Sequence, residues 1–198
     1  MKAFLNQCQH WIFDLDGTLT QAVHDFDRMR DILGIPRGED ILGHIAGLPE
    51  HERIEKNLQL DQLELDYAMQ AKPAQGVYEL IELLVERKSQ LGIVTRNTKA
   101  FAHLSLQALR LDEYFPIDHI VGRDEAEPKP DPSGIAHLMR LWSCAPEQTV
   151  MVGDYKYDLL AGRAAGCKTI HVSMSSQQWP QVTDLYLGSL SDLADMSR

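Results

Sequence analysis

The sequence predicts an α/β protein whose core is a doubly wound parallel sheet, with a small all-helical segment inserted after the first strand. From Gly76 onward, short apolar runs alternate with stretches in which apolar residues recur at helical spacing. Continuous apolar runs are typical of strands buried on both faces, and their alternation with helices implies parallel strands joined by right-handed crossovers. Before Gly76, one apolar run at residues 11–13 is followed by helical patterns only.

The composition excludes several classes of protein. At 198 residues the chain can bury a full core, and its net charge of −10 argues against a nucleic acid or an anionic membrane as partner. No apolar run approaches the ~20 residues that a membrane span needs, and the first residues do not resemble a signal peptide. Cys8, Cys144 and Cys167 lack metal-ligand spacing and indicate reduced thiols. We therefore expect a cytoplasmic monomer or homodimer.

The insertion at residues 21–74 is predicted to be entirely helical. One helix begins near Phe26 and is ended by Gly34, a second short helix ends near Gly47, and residues 50–72 form one long helix or two shorter ones. An insertion after the first strand must lie above the carboxyl ends of the strands, where open α/β sheets bind ligands. We therefore expect a lid over a site, with a purely packing role as the alternative.

The elements after the insertion follow in strict order. They are predicted as a helix from residue 77, a strand at 91–95, a helix at 97–110, a strand at 117–121, a helix with Asp131 as N-cap and Pro132 in its first position, a strand at 149–153, a helix at 155–165, a strand at 168–172, an edge strand at 184–187 and a short helix from Ser191.

Two carboxylates stand where the first strand ends. Side chains two residues apart share a face of a strand, so Asp14 and Asp16 are expected to point the same way, and Gly17 allows a sharp turn after them. Carboxylates that close repel each other unless a cation lies between them or one holds a proton. The pattern indicates a metal-dependent enzyme; ordinary acidic turn residues are the alternative.

Two further polar sites follow later strands. Thr95 ends the second strand, and with Arg96 and Asn97 it offers a hydroxyl and free N–H groups to an anion, although threonine is also a routine N-cap. Lys129 is held between two prolines on a stiff backbone before a helix. The residues from Thr95 to Asn97 predict an anion-binding site, and the clamped Lys129 is a second candidate, with an ordinary proline-rich turn as the alternative.

A second pair of aspartates follows the strand at residues 149–153. Asp154 stands at its end, and Asp158 lies one helical turn further on the same side. Asp154 is also placed to cap that helix. A third aspartate beside the first two is electrostatically costly without a cation, which favours a metal site.

The order Asp-x-Asp, Thr, Lys, Asp-x-x-x-Asp resembles the four motifs of the haloacid dehalogenase superfamily. The resemblance covers residues 11–172 and is most specific at the segments DLDGTLT and VGDYKYD. The helical insertion is similar to that of the phosphoglycolate phosphatase-like branch. The resemblance implies a Rossmann-like catalytic core at residues 1–20 and 75–198, with a helical cap at residues 21–74.

The same resemblance implies a Mg²⁺-dependent phosphatase that hydrolyses a small phosphorylated metabolite through an aspartyl-phosphate. Asp14 would be the nucleophile, and Asp16 would protonate the leaving group and then activate water. Mg²⁺ would be held by Asp14, Asp154 and the backbone carbonyl of Asp16, with Asp158 supporting the metal and Lys129. The residues implied to contact the phosphate, several of them also catalytic, are Asp14, Leu15, Asp16, Thr95, Arg96, Asn97 and Lys129.

Other functions stay open at this point. A dehalogenase is disfavoured because those enzymes lack the second aspartate, and a receiver-like signalling module would have no purpose for Asp16. The intact chemistry at every motif position argues against a silent binding protein. A sugar phosphomutase needs a cap that grips a second phosphate. The basic residues available for that are Arg28, Arg30, Arg37, Arg53 and Lys56. Residues 44–53 are expected to be the part of the lid that meets the substrate.

Overall fold

A six-stranded sheet, parallel at every pairing, forms the centre of the protein. The computed structural model describes residues 4–5 and 7–198, and the order of the strands in the sheet is β3-β2-β1-β4-β5-β6. The strands are β1 His10–Phe13, β2 Gln90–Val94, β3 Ile120–Val121, β4 Thr149–Gly153, β5 Lys168–Val172 and β6 Leu185–Leu187. The predicted doubly wound α/β fold is confirmed.

Eight α-helices accompany the sheet in the described part of the chain. They are α1 Phe26–Leu33, α2 Ile41–Ala46, α3 Glu50–Met69, α4 Val77–Glu86, α5 Lys99–Leu109, α6 Ser133–Trp142, α7 Lys156–Ala164 and α8 Leu190–Ser197. No helix among the described residues is both long and apolar enough to cross a membrane.

The alternation of side chains along β1 divides the core into two layers. Trp11 and Phe13 pack into one apolar cluster with residues of α4, α5 and α8, whereas Ile12 packs into a second cluster with residues of α6 and α7. All three side chains are fully buried. The central strand therefore contacts a helix layer on each face, which explains its uninterrupted apolar sequence.

The inserted helices α1–α3 have an apolar cluster of their own, which includes Met29, Ile45 and Leu60. The chain leaves and re-enters the core at one place, where Thr20 and Pro73 form an antiparallel bridge. The N–H of residue 21 donates to the carbonyl of residue 72 over 2.9 Å, and that of residue 74 to the carbonyl of residue 19 over 3.0 Å. This pairing supports the proposed division into a core and a cap at residues 21–74.

Several element ends differ from the sequence-based expectation. β3 is only two residues long because Ile117–His119 forms a 3₁₀ turn. α6 begins one residue later than predicted, with Pro132 as N-cap, while the Asp131 carboxylate accepts a hydrogen bond of 2.8 Å from the N–H of Ser133. α5 begins at Lys99 rather than at residue 97, because Thr98 caps it. A backbone turn thus shortens β3, and local side-chain hydrogen bonds lie at the starts of α5 and α6.

Candidate active site

The first predicted motif lies where β1 and β4 end side by side. The N–H of Asp14 donates to the carbonyl of Val152 over 2.9 Å, which extends the ladder one residue beyond β1 and fixes the aspartate at the sheet edge. Gly17 then turns the chain with a φ of +94°. A Cβ atom at Gly17 would lie 2.6 Å from a carboxylate oxygen of Asp154, so the turn needs glycine both for its backbone conformation and for close approach.

Lys129 connects the first and last motifs. Its Nζ lies 2.6 Å from Oδ1 of Asp14 and 2.7 Å from Oδ1 of Asp158, and the side chain is only 1% exposed. Burial opposes the charge of the ammonium, but the two carboxylates outweigh it and raise the pKa of Lys129. Burial also raises the pKa of Asp14, and Lys129 counteracts that shift. The buried lysine is therefore charged and paired, as buried charges must be.

Asp154 and Asp158 differ in their surroundings. Asp158 uses its second oxygen, Oδ2, to accept a hydrogen bond of 3.0 Å from the N–H of Tyr155, so both of its oxygens have protein partners. Asp154 accepts a bond of 3.3 Å from the Thr18 hydroxyl, and burial together with the charge of Asp158 raises its pKa to about 7. Asp154 is thus the less satisfied of the two carboxylates.

A buried histidine holds the backbone of the last motif. Nε2 of His171, on β5, donates to the backbone carbonyl of Asp154 over 3.0 Å, and the side chain is fully buried. Burial lowers the pKa of His171. Sequence reasoning missed this residue, since a lone histidine in an apolar strand carries no motif.

The carboxylates of Asp14, Asp154 and Asp158 form a group with the donor set of a divalent cation site. One oxygen from each residue lies within 4.8 Å of the other two. Magnesium prefers carboxylate oxygens and takes only one or two of them, keeping water or phosphate oxygens as further ligands. Since Lys129 supplies a single positive charge against three carboxylates, the residues fit a bound Mg²⁺ ion.

Asp16 points elsewhere than the side-chain alternation predicted. β1 ends at Phe13, and Asp16 lies in the following turn with φ −80° and ψ 109°, so the pattern of the strand does not reach it. Its carboxylate lies 3.5 Å from Nδ2 of Asn97 and 3.9 Å from Nε2 of His24. Asp16 therefore lies between the second motif and the inserted segment, outside the group of three carboxylates.

The second motif contributes a tight polar turn. The buried Thr95 hydroxyl accepts a hydrogen bond of 3.0 Å from the N–H of Asn97. The Arg96 guanidinium donates to the carbonyl of Lys129, lies 2.6 Å from Oδ1 of Asp40 and stacks 4.9 Å above the ring of Tyr157. The Arg96 side chain thus already has three partners.

A cavity of about 700 Å³ lies between the sheet edge and the inserted helices. Leu15 is the one predicted site residue that does not line the cavity, and its side chain is buried in the core. The predicted site residues that do line it are Asp14, Asp16, Thr95, Arg96, Asn97, Lys129, Asp154 and Asp158.

The expectation that residues 44–53 meet the substrate was wrong. The cap wall of the cavity consists of residues 22–27, Met29, Arg30, residues 38–42, Leu60 and Glu64. The segment that follows His44 joins α2 to α3 and contributes no lining residue. The start of α1 and the loop before α2 face the sheet edge instead.

The cap is also joined to the core by a partly buried arginine that sequence reasoning missed. Arg123 follows β3, and its guanidinium lies 2.7 Å from Oδ1 of Asp61 and 2.7 Å from Oε2 of Glu64, both on α3. Burial raises the pKa of Glu64 to about 7, although Arg123 lowers it. No spacing rule connects residues so distant in sequence.

A doubly wound sheet with acidic strand ends beneath a helical insertion defines a Rossmann-like protein of the haloacid dehalogenase type. The chain belongs to the haloacid dehalogenase-like hydrolase family, whose model matches residues 27–172. The family recognition and hydrolase class predicted from the motifs are confirmed.

Relatives with similar sequences come from a yeast, a plant and a bacterium. The chain is 30% identical to an uncharacterised hydrolase of Saccharomyces cerevisiae, with 80% of this chain and 74% of the relative covered. It is 31% identical to a haloacid dehalogenase-like hydrolase domain-containing protein of Arabidopsis thaliana, covering 85% of this chain and 72% of that protein. It is 36% identical to pyrophosphatase PpaX of Halalkalibacterium halodurans over 63% of this chain, which spans 60% of that relative.

Solved structures with the same fold cover nearly the whole chain. A predicted phosphoglycolate phosphatase from Haemophilus somnus aligns with a TM-score of 0.76 at 20% identity, over 97% of this chain and 99% of that one. A hydrolase from Pseudomonas syringae aligns with a TM-score of 0.79 at 22% identity, over 95% and 96% of the two chains. At these identities the likeness establishes the fold.

Proposed function

We propose that this protein is a Mg²⁺-dependent phosphatase that hydrolyses a small phosphorylated metabolite through an aspartyl-phosphate intermediate. The observation that carries the proposal is the buried pair of Asp14 and Lys129, 2.6 Å apart, at the base of a cavity of about 700 Å³. A carboxylate paired in this way has one fixed orientation and faces a volume large enough for a small metabolite. Membership of a hydrolase family and the pyrophosphatase among the relatives support phosphoryl chemistry.

Asp14 is the proposed nucleophile. A carboxylate oxygen of Asp14 attacks phosphorus, the bond from phosphorus to the leaving oxygen breaks, and an acyl phosphate forms on the protein. Water then attacks the phosphorus of that intermediate and releases inorganic phosphate, so one difficult hydrolysis becomes two easier steps. Lys129 stabilises the negative charge that both steps place on the phosphoryl group.

Asp16 is the proposed general acid and base. It would give a proton to the leaving alkoxide and later take one from the attacking water. Its carboxylate lies outside the group of three carboxylates and close to Asn97 and His24. Thr95 and the N–H groups that follow it would bind the phosphoryl oxygens.

The residues proposed to hold Mg²⁺ are Asp14, Asp154 and the backbone carbonyl of Asp16. When bound, the ion neutralises charge on the phosphoryl oxygens and the carboxylates. Asp158, whose oxygens are taken by Lys129 and by the N–H of Tyr155, is assigned the supporting role of holding Lys129 in place. The buried His171 fixes the carbonyl of Asp154 from behind.

The phosphomutase alternative lacks a free grip for a second phosphate. Of the five basic cap residues that were candidates, Arg30 alone lines the cavity, and its guanidinium is paired with Asp27 at 3.0 Å. The match to a hydrolase family gives no support to a receiver-like signalling module. The phosphatase proposal is therefore the one that the described residues favour.

The proposal is tested by phosphate release from p-nitrophenyl phosphate and a panel of small phosphomonoesters, with Mg²⁺ and with excess chelator. We expect release that depends on the metal and that is abolished in Asp14→Asn, a variant whose circular dichroism should match the wild type. Full activity in that variant would refute the nucleophile assignment. A stable phosphorylated aspartate without phosphate release would favour a mutase or a signalling protein instead.

A further inference from the structure

We infer that the cavity selects phosphomonoesters of uncharged or cationic alcohols and discriminates against leaving groups that carry a second negative charge. This inference rests on the proposed phosphatase function and concerns the part of the substrate that is not the phosphate. It is carried by the charges and the partners of the cap residues that line the cavity.

The cap wall of the cavity is acidic. Four carboxylates of a short stretch of chain line it, together with Glu64 on α3, and the four are Asp25, Asp27, Glu39 and Asp40. Across the cavity, the core carboxylates already exceed the single charge of Lys129. A Mg²⁺ ion and Lys129 together offset the three carboxylates at the sheet edge, and the cap offers no excess of positive charge to a second anion.

The two arginines that line the cavity are already committed. Arg30 is paired with Asp27 at 3.0 Å and donates from Nε to the carbonyl of Glu39 over 2.8 Å. Arg96 is paired with Asp40 at 2.6 Å and also donates to the carbonyl of Lys129. A carboxylate or phosphate on the leaving group would have to compete with these partners for the arginines, and the cap carboxylates beside them would repel it.

Several other residues of the cap wall are apolar. Val23 and Phe26 line the cavity while 44% and 52% exposed, so they offer apolar surface at its mouth. Met29 and Leu60 line it further in and are buried in the apolar cluster of the cap. An alkyl or aromatic alcohol covers such surface favourably, and an amine on it would meet the nearby carboxylates.

Three esters with the same two-carbon backbone differ chiefly in charge: 2-aminoethyl phosphate, ethyl phosphate and phosphoglycolate. Each is measured as a competitive inhibitor of Mg²⁺-dependent p-nitrophenyl phosphate hydrolysis, at constant free Mg²⁺, so that a value is obtained whether or not the ester is turned over. We expect the inhibition constant of phosphoglycolate to exceed that of ethyl phosphate by about fivefold or more, with 2-aminoethyl phosphate the tightest. Raising the salt concentration should shrink this ratio, because screening weakens charge repulsion but not shape selection.

A matched pair of variants locates the effect in the cap wall. Asp27 and Asp31 lie on the same helix, and each is paired with an arginine, at 3.0 Å and 2.9 Å respectively, but only Asp27 lines the cavity. Asp27→Asn should lower the ratio of the phosphoglycolate and ethyl phosphate constants by about threefold, whereas Asp31→Asn should leave it unchanged.

The outcomes are distinguishable. Phosphoglycolate binding as tightly as ethyl phosphate, or an equal change of the ratio in both variants, would overturn the inference while p-nitrophenyl phosphate hydrolysis upholds the phosphatase. Absence of any Mg²⁺-dependent hydrolysis would instead reject the proposed function and this inference with it. Pyrophosphate, whose leaving group is itself a phosphate, is expected to be a weaker inhibitor than ethyl phosphate, and tighter binding would also contradict the inference.

Discussion

Replacing Lys129 by methionine should destabilise the metal-free protein severely. The substitution keeps most of the apolar stem but removes a charge that lies 2.6 Å from Asp14 and 2.7 Å from Asp158, in a side chain that is 1% exposed. Breaking a buried ion pair by removing one partner costs about 3–5 kcal/mol, because the remaining charge is left in a site with little water. Here two carboxylates lose the same partner, so the upper part of that range is expected, out of a total stability of about 5–15 kcal/mol.

The loss is measured by urea unfolding of Lys129→Met in the presence of chelator. Lys99→Met is the matched control, since Lys99 also pairs with a carboxylate but is 29% exposed and lies 3.8 Å from Glu125. Partly exposed pairs of this kind contribute about 1 kcal/mol or less. A loss in Lys129→Met no larger than in the control would refute the reasoning that Lys129 is charged and shields the aspartates.

The same variant predicts a pH dependence with a definite sign. Burial raises the pKa of Asp14 in the folded protein, and Lys129 counteracts that shift. Without Lys129 the pKa of Asp14 rises further above its unfolded value. A carboxyl group whose pKa is raised by folding contributes stability below its unfolded pKa, and this contribution is lost as the pH rises through the folded pKa. The loss of unfolding free energy in Lys129→Met, relative to the wild type, should therefore be larger at pH 8 than at pH 5.

Two further predictions concern the cap interface and the first turn. Burial raises the pKa of Glu64 from 4.5 to about 7, so folding disfavours its ionised form and the wild type loses stability between pH 5 and pH 8. In Glu64→Gln this loss of unfolding free energy should be smaller by up to about 3 kcal/mol. If the unfolding free energy, measured with urea, depended on pH equally in the variant and the wild type, the prediction would be contradicted. Gly17→Ala should weaken Mg²⁺ binding about tenfold or more in a calorimetric titration, because its Cβ would lie 2.6 Å from an Asp154 oxygen. Gly34→Ala, with φ +68° and open space around it, imposes similar backbone strain without that clash and should leave Mg²⁺ binding unchanged.

The sequence predicted the sheet edge of the site well because the fold constrains it strongly. Parallel strands end at one edge, so residues that follow β1 and β4 must be neighbours, and Asp14 and Asp154 are found there. The short spacing from Asp154 to Asp158 fixes the second contact of Lys129 in the same way. The direction of Asp16 could not be predicted in this way, because Asp16 lies in the turn that begins where the regular strand ends.

The cap side of the site could not be predicted in this way. Arg96 meets Asp40 and Arg123 meets Glu64 across the boundary between core and insertion, and neither pair has a characteristic spacing. How the insertion lies on the core depends on the packing of α3 against α5, which no periodicity encodes. The sequence analysis therefore predicted residues 44–53 as the part of the lid that meets the substrate, whereas the charged cap residues that line the cavity lie mostly within residues 25–40.

The narrow neck of the insertion makes the cap separable from the sheet. Because the chain departs and returns through the bridge between Thr20 and Pro73, the two ends of the cap lie beside each other whatever stands between them. The entropy of closing such an excursion grows only with the logarithm of its length, so changes in its length add little entropic cost as long as the contacts of α3 with α5 and Arg123 are kept. A protein built in this way can keep its reaction constant and change its choice of substrate by replacing one contiguous segment of sequence.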